Sequence, residues 1–251
     1  MTTGRGFFRF SSPASFYPLA GRLVPWFGWS AAALAVIGLY LGFFVAPTDH
    51  QQGESYRIIF IHVPSAWMAM FIYLVMAGWS IISLIWNTRL SAMMAQALAP
   101  TGAMFAFVSL WTGAFWGRPT WGAYWVWDAR LTSTLILLFL YLGFMALRAS
   151  IDDPRRSDRA AALLVIVGSV NVPIIYFSVR WWNTLHQGAS VSMTAAPKMA
   201  TIMLSAMLVM TFAAWAYAIA AALHRVRSVI LEREAHAAWV RELPEVGEDR
   251  S

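Results

Sequence analysis

Six long apolar stretches set the limits on what this chain can fold into. They cover 29–46, 63–86, 100–116, 131–147, 160–179 and 197–222, and each reaches the roughly 17–25 residues that a helix needs to cross a hydrocarbon core. Lipid offers no partner to a backbone N–H or C=O, so a stretch of this kind must satisfy itself as a helix. Only 12% of the 251 residues are charged and 59% are hydrophobic, about half the charge of an ordinary globular domain. Such a chain cannot cover itself with polar surface. We therefore expect an all-α integral membrane protein of six transmembrane helices. An interfacial N-terminal segment over 1–28 precedes the six-helix domain over 29–222, and a tail over 223–251 follows it. Pro13, Pro18 and Pro25 interrupt the first residues, so no compact signal-peptide core is expected there.

An even number of spans puts both termini on one side, and the basic residues choose which. Thirteen arginines fall in the N-terminal segment, the loops over 87–96 and 148–159, and the tail. Arg57, Arg118, Arg130 and Arg180 fall in the other loops, over 47–62, 117–130 and 180–196, and Lys198 stands at the same side, just inside the start of the sixth stretch. The positive-inside bias predicts cytoplasmic termini and three external loops. It also accounts for the sequence pI near 10.1, because no segment gathers the basic residues into a nucleic-acid footprint. Pro64 and Pro197 are expected near helix starts, and Pro173, after Asn171, is expected to kink the fifth span.

The external loop between spans 3 and 4 carries the most chemistry. Residues 116–133 read WGRPTWGAYWVWDARLTS, with four tryptophans, a tyrosine, one carboxylate and two arginines. An interfacial aromatic belt accounts for one or two tryptophans per helix end, not for this density. Trp116, Trp121, Tyr124, Trp125 and Trp127, with Asp128, read instead as a platform for a large, flat, apolar ligand. Gly122 leaves room for a close approach to the backbone, and a helical turn would bring Trp121 and Trp125 onto one face. His62 and His186 lie on the same side, each beside tryptophans. Two neutral imidazoles from different segments can fill both axial positions of a porphyrin iron. Arg57 and Arg130 are the candidates for its two carboxylates through their planar forks, although an Asp128–Arg130 pair within the loop is an alternative. His50 is a weaker candidate ligand, and His224 and His236 fall on the other side.

Other chemistries find little support. The chain has no cysteine, which excludes disulfides, thiolate metal sites and any thiol step of its own. It has no phosphate-binding Gly-rich loop followed by Lys and Ser or Thr, so it carries no ATPase site. No paired carboxylates lie within the spans, against an ion-coupled pump. The methionines follow span faces and read as packing.

Residues 121–132, WGAYWVWDARLT, resemble the tryptophan-rich "WWD" signature of haem-handling membrane proteins. With 62–67, HVPSAW, and 181–188, WWNTLHQG, the chain is similar to the CcmC family, the haem exporter C component of bacterial cytochrome c maturation. The resemblance runs from about residue 26 to 225. It departs from the family pattern at Tyr124, where many members carry tryptophan. It implies haem b held transiently and non-covalently at the periplasmic face of the inner membrane, with His62 and His186 as axial ligands beside the Trp loop. It further implies delivery to the chaperone CcmE within a complex with CcmA, CcmB and CcmD, a binding and transfer role without catalysis. Three alternatives stay open: a permease moving haem through the helix bundle, a haem lyase or cytochrome c synthase-like subunit, and a haem-b electron-transfer subunit.

Overall fold

A computed structural model of the chain describes residues 10–182, 184–186 and 199–243. The motif residues Asn183, Gln187 and Gly188, together with Pro197 and Lys198, lie outside the described residues. The helices are α1 (Pro13–Tyr40, continued by a π-turn over Leu41–Val45), α2 (Ile59–Trp86), α3 (Arg89–Trp121), α4 (Ala129–Ala149), α5 (Pro154–Gly168), α6 (Asn171–Trp181), α7 (Thr201–Arg233) and the short α8 (Ala238–Arg241). Taken together, they form six helical stretches long and apolar enough to cross a membrane. The six-span architecture is therefore present.

The helices outrun the apolar stretches that announce them. α1 starts at Pro13, where a missing N–H costs nothing and Ser12 caps the Ser15 N–H. It then runs through Pro18 and Pro25, so much of the segment read as interfacial is helix. α3 starts at Arg89, which leaves Pro100 in its interior. Its early turns escape a hydropathy reading because they bury a mixed face: Leu90, Met93 and Ala97 pack on Val226, Val229 and Ile230 of α7. Pro64 likewise lies inside α2, one turn past its start. The expected break at Pro173 is real. α5 stops at Gly168 and α6 begins at Asn171, whose side-chain amide donates to the Ser133 carbonyl of α4 at 2.9 Å.

α3 runs through the middle of the bundle, packed on α2, α4 and α7, while α1 lies along α7. The core between α2, α3, α4 and α5 is closed by two tyrosines in edge contact, Tyr73 and Tyr141, both fully buried. The Tyr141 hydroxyl donates to the Ala69 carbonyl at 2.7 Å. Space for it comes from Gly102, where a Cβ would lie 2.2 Å from the Tyr141 ring. Gly168 does the same for the Tyr73 hydroxyl, at 2.3 Å. At the end bearing the helix C-termini of α4 and α7, Asp158 accepts hydrogen bonds from both Arg148 (2.5 Å) and Arg233 (2.8 Å). Losing one partner of so enclosed a pair typically costs about 3–5 kcal/mol.

Candidate functional site

The opposite end of the bundle holds the residues singled out above. A single-turn 3-10 helix, Glu54–Ile58, runs straight into α2 and places His62 in its first turns, 8% exposed. His62 Nδ1 lies 3.0 Å from Thr112 Oγ1 of α3. The Thr112 hydroxyl proton is directed at the Val108 carbonyl, 2.6 Å away, so the oxygen accepts and Nδ1 carries the ring proton. Nε2 is left with a lone pair, the form a metal ligand requires. The ring stands against Gly113, where a Cβ would lie 3.0 Å from His62 Cε1. No larger residue fits there without moving the imidazole.

The end of α3 supplies the aromatic wall. Trp116 meets the His62 ring edge-on at 5.6 Å, and its indole N–H donates to Gln52 Oε1 at 2.7 Å. α3 continues through Pro119 to Trp121, so the loop read over 117–130 shrinks to Gly122 through Asp128. Gly122 stops the helix with φ +80°, its N–H returning to the Arg118 carbonyl at 3.1 Å. That left-handed conformation is what glycine supplies here. Trp121 and Trp125 are brought together by this turn rather than by helical spacing. Asp128 then caps α4, its Oδ1 accepting the Leu131 N–H at 2.7 Å, and its Oδ2 accepts the Thr184 hydroxyl. It forms no ion pair with Arg130. Arg130, in the first turn of α4, donates to the Ile175 carbonyl at 3.1 Å.

These elements line a cavity bounded by His62, His186, Trp116, Trp121, Trp125 and Arg130 among others. The His62 and His186 rings both border it, centroids 6.4 Å apart and planes 32° from parallel, with Trp121 6.1 Å from His186. Arg130 brings a guanidinium with several N–H groups, one of which is spent on Ile175. The Trp125 indole nitrogen is buried and has no partner among the described residues. A buried donor of this kind is costly unless a ligand accepts from it.

Other candidate residues stand apart from the cavity. Arg57 is turned away, bound to Glu54 and to the carbonyls of Gly42 (2.6 Å) and Ala46 (3.0 Å). Tyr124 and Trp127 are exposed, Trp127 at 77%, and Trp127 packs edge-on against Trp125 at 5.3 Å. Gly122 and Asp128 shape the wall without lining it. His50 lies in the exposed turn before the 3-10 helix. Sequence reasoning missed Thr112, Thr184 and the small residues Ser109, Gly113 and Gly117 on the cavity side of α3. A stripe of small residues four apart leading into a Trp-rich segment was the available signal.

Haem can be tested against this geometry. A metal–imidazole bond is roughly 2 Å long, so two imidazoles end-on to one metal place their ring centres about 6 Å apart. The observed 6.4 Å fits. A flat aromatic wall, one guanidinium and one unpartnered indole N–H fit an apolar disc with an acidic edge.

Residues 6–241 match the sequence profile of the family described as Heme exporter protein C. A protein of that name from Bradyrhizobium diazoefficiens is 48% identical over 223 residues, covering 89% of this chain and 84% of its own. The Escherichia coli K12 Heme exporter protein C is 44% identical over 241 residues, covering 92% and 93%. A Marchantia polymorpha protein described as a putative cytochrome c biosynthesis ccmC-like mitochondrial protein is 48% identical over 166 residues, covering 66% and 69%. With a profile match across nearly all its length and relatives this similar, the chain belongs to the Heme exporter protein C family.

Proposed function

We propose that this protein holds haem b at the periplasmic face of a bacterial inner membrane and passes it to the chaperone CcmE, working beside CcmA, CcmB and CcmD. The observation that carries this reading is the pair of imidazoles with ring centres 6.4 Å apart beside an aromatic wall. His62 and His186 are the axial ligands. Trp116, Trp121 and Trp125 cover the apolar faces, each able to bury about 150–250 Å². Arg130 and the Trp125 indole N–H receive the propionates, and the arginine bias supports an orientation with this end outside the cytoplasm. The chain binds, orients and shields; it makes and breaks no covalent bond of the porphyrin.

Loading from outside the helix bundle is favoured over passage through it. Along the inward face of α4, Arg130, Thr134 and Leu137 line the cavity, whereas Tyr141 lies one turn deeper and is sealed against Gly102 and Tyr73. A porphyrin crossing the bundle would have to displace both tyrosines.

The test measures haem on this protein and on the chaperone from the same cells. Trp121→Ala combined with Trp125→Ala should lower haem retention severalfold and abolish chaperone loading. Normal loading in that variant would reduce the aromatic wall to an interfacial belt.

A further inference from the structure

Part of the aromatic wall is held from outside the cavity. The segment between α1 and α2 is tied by its own groups. Asp49 Oδ1 accepts the N–H groups of Gln51 at 2.9 Å and Gln52 at 2.8 Å, and the Gly53 N–H returns to the Asp49 carbonyl at 3.0 Å. Gly53 closes this turn with φ +59°, a conformation that favours glycine. The Ser55 hydroxyl then donates to the Gln52 carbonyl at 2.6 Å. Both backbone groups of Gln52 are thereby engaged, and its side chain reaches from a fixed base to the end of α3. There its Oε1 accepts the Trp116 indole N–H at 2.7 Å, across 64 residues of sequence.

We infer that Gln52 is a positioning residue for haem binding, fixing how the Trp116 ring is turned and, through that ring, the packing around His62. The inference rests on the haem reading above. The χ2 torsion of a tryptophan has broad minima, whereas its N–H lies on one edge of the indole and points one way. A hydrogen bond to that edge therefore selects an orientation that rotamer preference leaves loose. Held by Gln52, the Trp116 ring stands edge-on to His62, centroids 5.6 Å apart, and lines the cavity beside it. Without the acceptor the ring can turn about χ2 and give up both contacts. Gln52 is not among the residues that line the cavity, so it acts through Trp116 and not on the cargo. The segment between α1 and α2 thus belongs to the site although it supplies no wall.

The test is a double-mutant cycle on the full-length protein in detergent. It is read by haem titration and, without haem, by near-ultraviolet circular dichroism of the aromatic side chains. Gln52→Leu keeps the bulk and deletes the acceptor, whereas Gln52→Glu keeps an acceptor oxygen at the same reach. Gln52→Leu should weaken haem binding about two- to tenfold, the worth of one hydrogen bond, and should change the dichroism of the haem-free protein. Gln52→Glu should bind as the parent does. Trp116→Phe removes the donor, and in that background Gln52→Leu should bring no further loss of affinity and no further change in dichroism, because the two side chains act as one pair. A loop that merely stabilises the fold predicts the opposite, the same loss in either background. That additive result, or parent-like affinity and dichroism in Gln52→Leu, overturns the role of Gln52. If His62→Ala and Trp116→Ala both leave haem affinity at the parent value, the haem reading fails and takes the inference with it. If they weaken binding and Gln52→Leu does not, only the role of Gln52 falls.

Discussion

Thr112→Val probes the bond that readies His62 for a metal. Valine matches threonine in size, and the Val108 and Ser109 carbonyls that accept from the hydroxyl keep their places in the α3 ladder. The change therefore falls on His62. Its Nδ1–H loses the Thr112 oxygen 3.0 Å away, in a site where the side chain is almost wholly buried. Leaving a buried donor unpaired costs about 1–3 kcal/mol. The ring escapes that cost by carrying its proton on Nε2, which blocks the lone pair a metal needs. Binding must then restore the unfavourable tautomer, and at 1.4 kcal/mol per decade haem affinity falls roughly 5- to 140-fold. The assay is a haem titration of the detergent-solubilised protein followed by absorbance, with thermal unfolding measured in parallel. Thr112→Ser should bind within about twofold of the parent, since the acceptor is restored. Parent-like affinity in Thr112→Val would refute the claim that this hydroxyl fixes the tautomer.

Arg130→Gln should weaken haem binding about tenfold or more, the worth of a charge-assisted hydrogen bond. Arg57→Gln should instead lower the unfolding temperature by freeing the Gly42 and Ala46 carbonyls, with affinity little changed; equal affinity losses in both would contradict the assignment. A topology reporter fused after Arg241 should behave as cytoplasmic and one inserted at Tyr124 as periplasmic, and the reverse pattern would put the cavity on the wrong side for delivery.

Span number was legible because hydropathy over some twenty residues reports directly on the solvent. The break at Pro173 was legible because proline removes a specific hydrogen bond. Trp116, Trp121, Trp125, His62 and His186 were legible as types of residue too expensive to gather at one membrane end by chance. The helix ends were not. α1 and α3 extend beyond their apolar stretches because residues such as Met93 and Ala97 are buried by α7, a contact formed across more than a hundred residues of sequence. The partners of the site were hidden for the same reason. Thr112 lies 50 residues from His62, and Asp128 lies 56 from Thr184. The nearby Arg130 suggested a pair for Asp128, but helix capping claimed the carboxylate instead. Arg57 and Arg130 looked alike in sequence, and Glu54 together with the carbonyls left open by the π-turn after α1 draws Arg57 away.

The absorption spectrum of the haem-loaded protein is the most direct test of two histidines gripping one iron. The parent should show a six-coordinate, low-spin spectrum. His62→Ala and His186→Ala should each lose it and regain it on addition of imidazole. A parent spectrum that is high-spin, or one that survives both single substitutions, would contradict ligation by this pair.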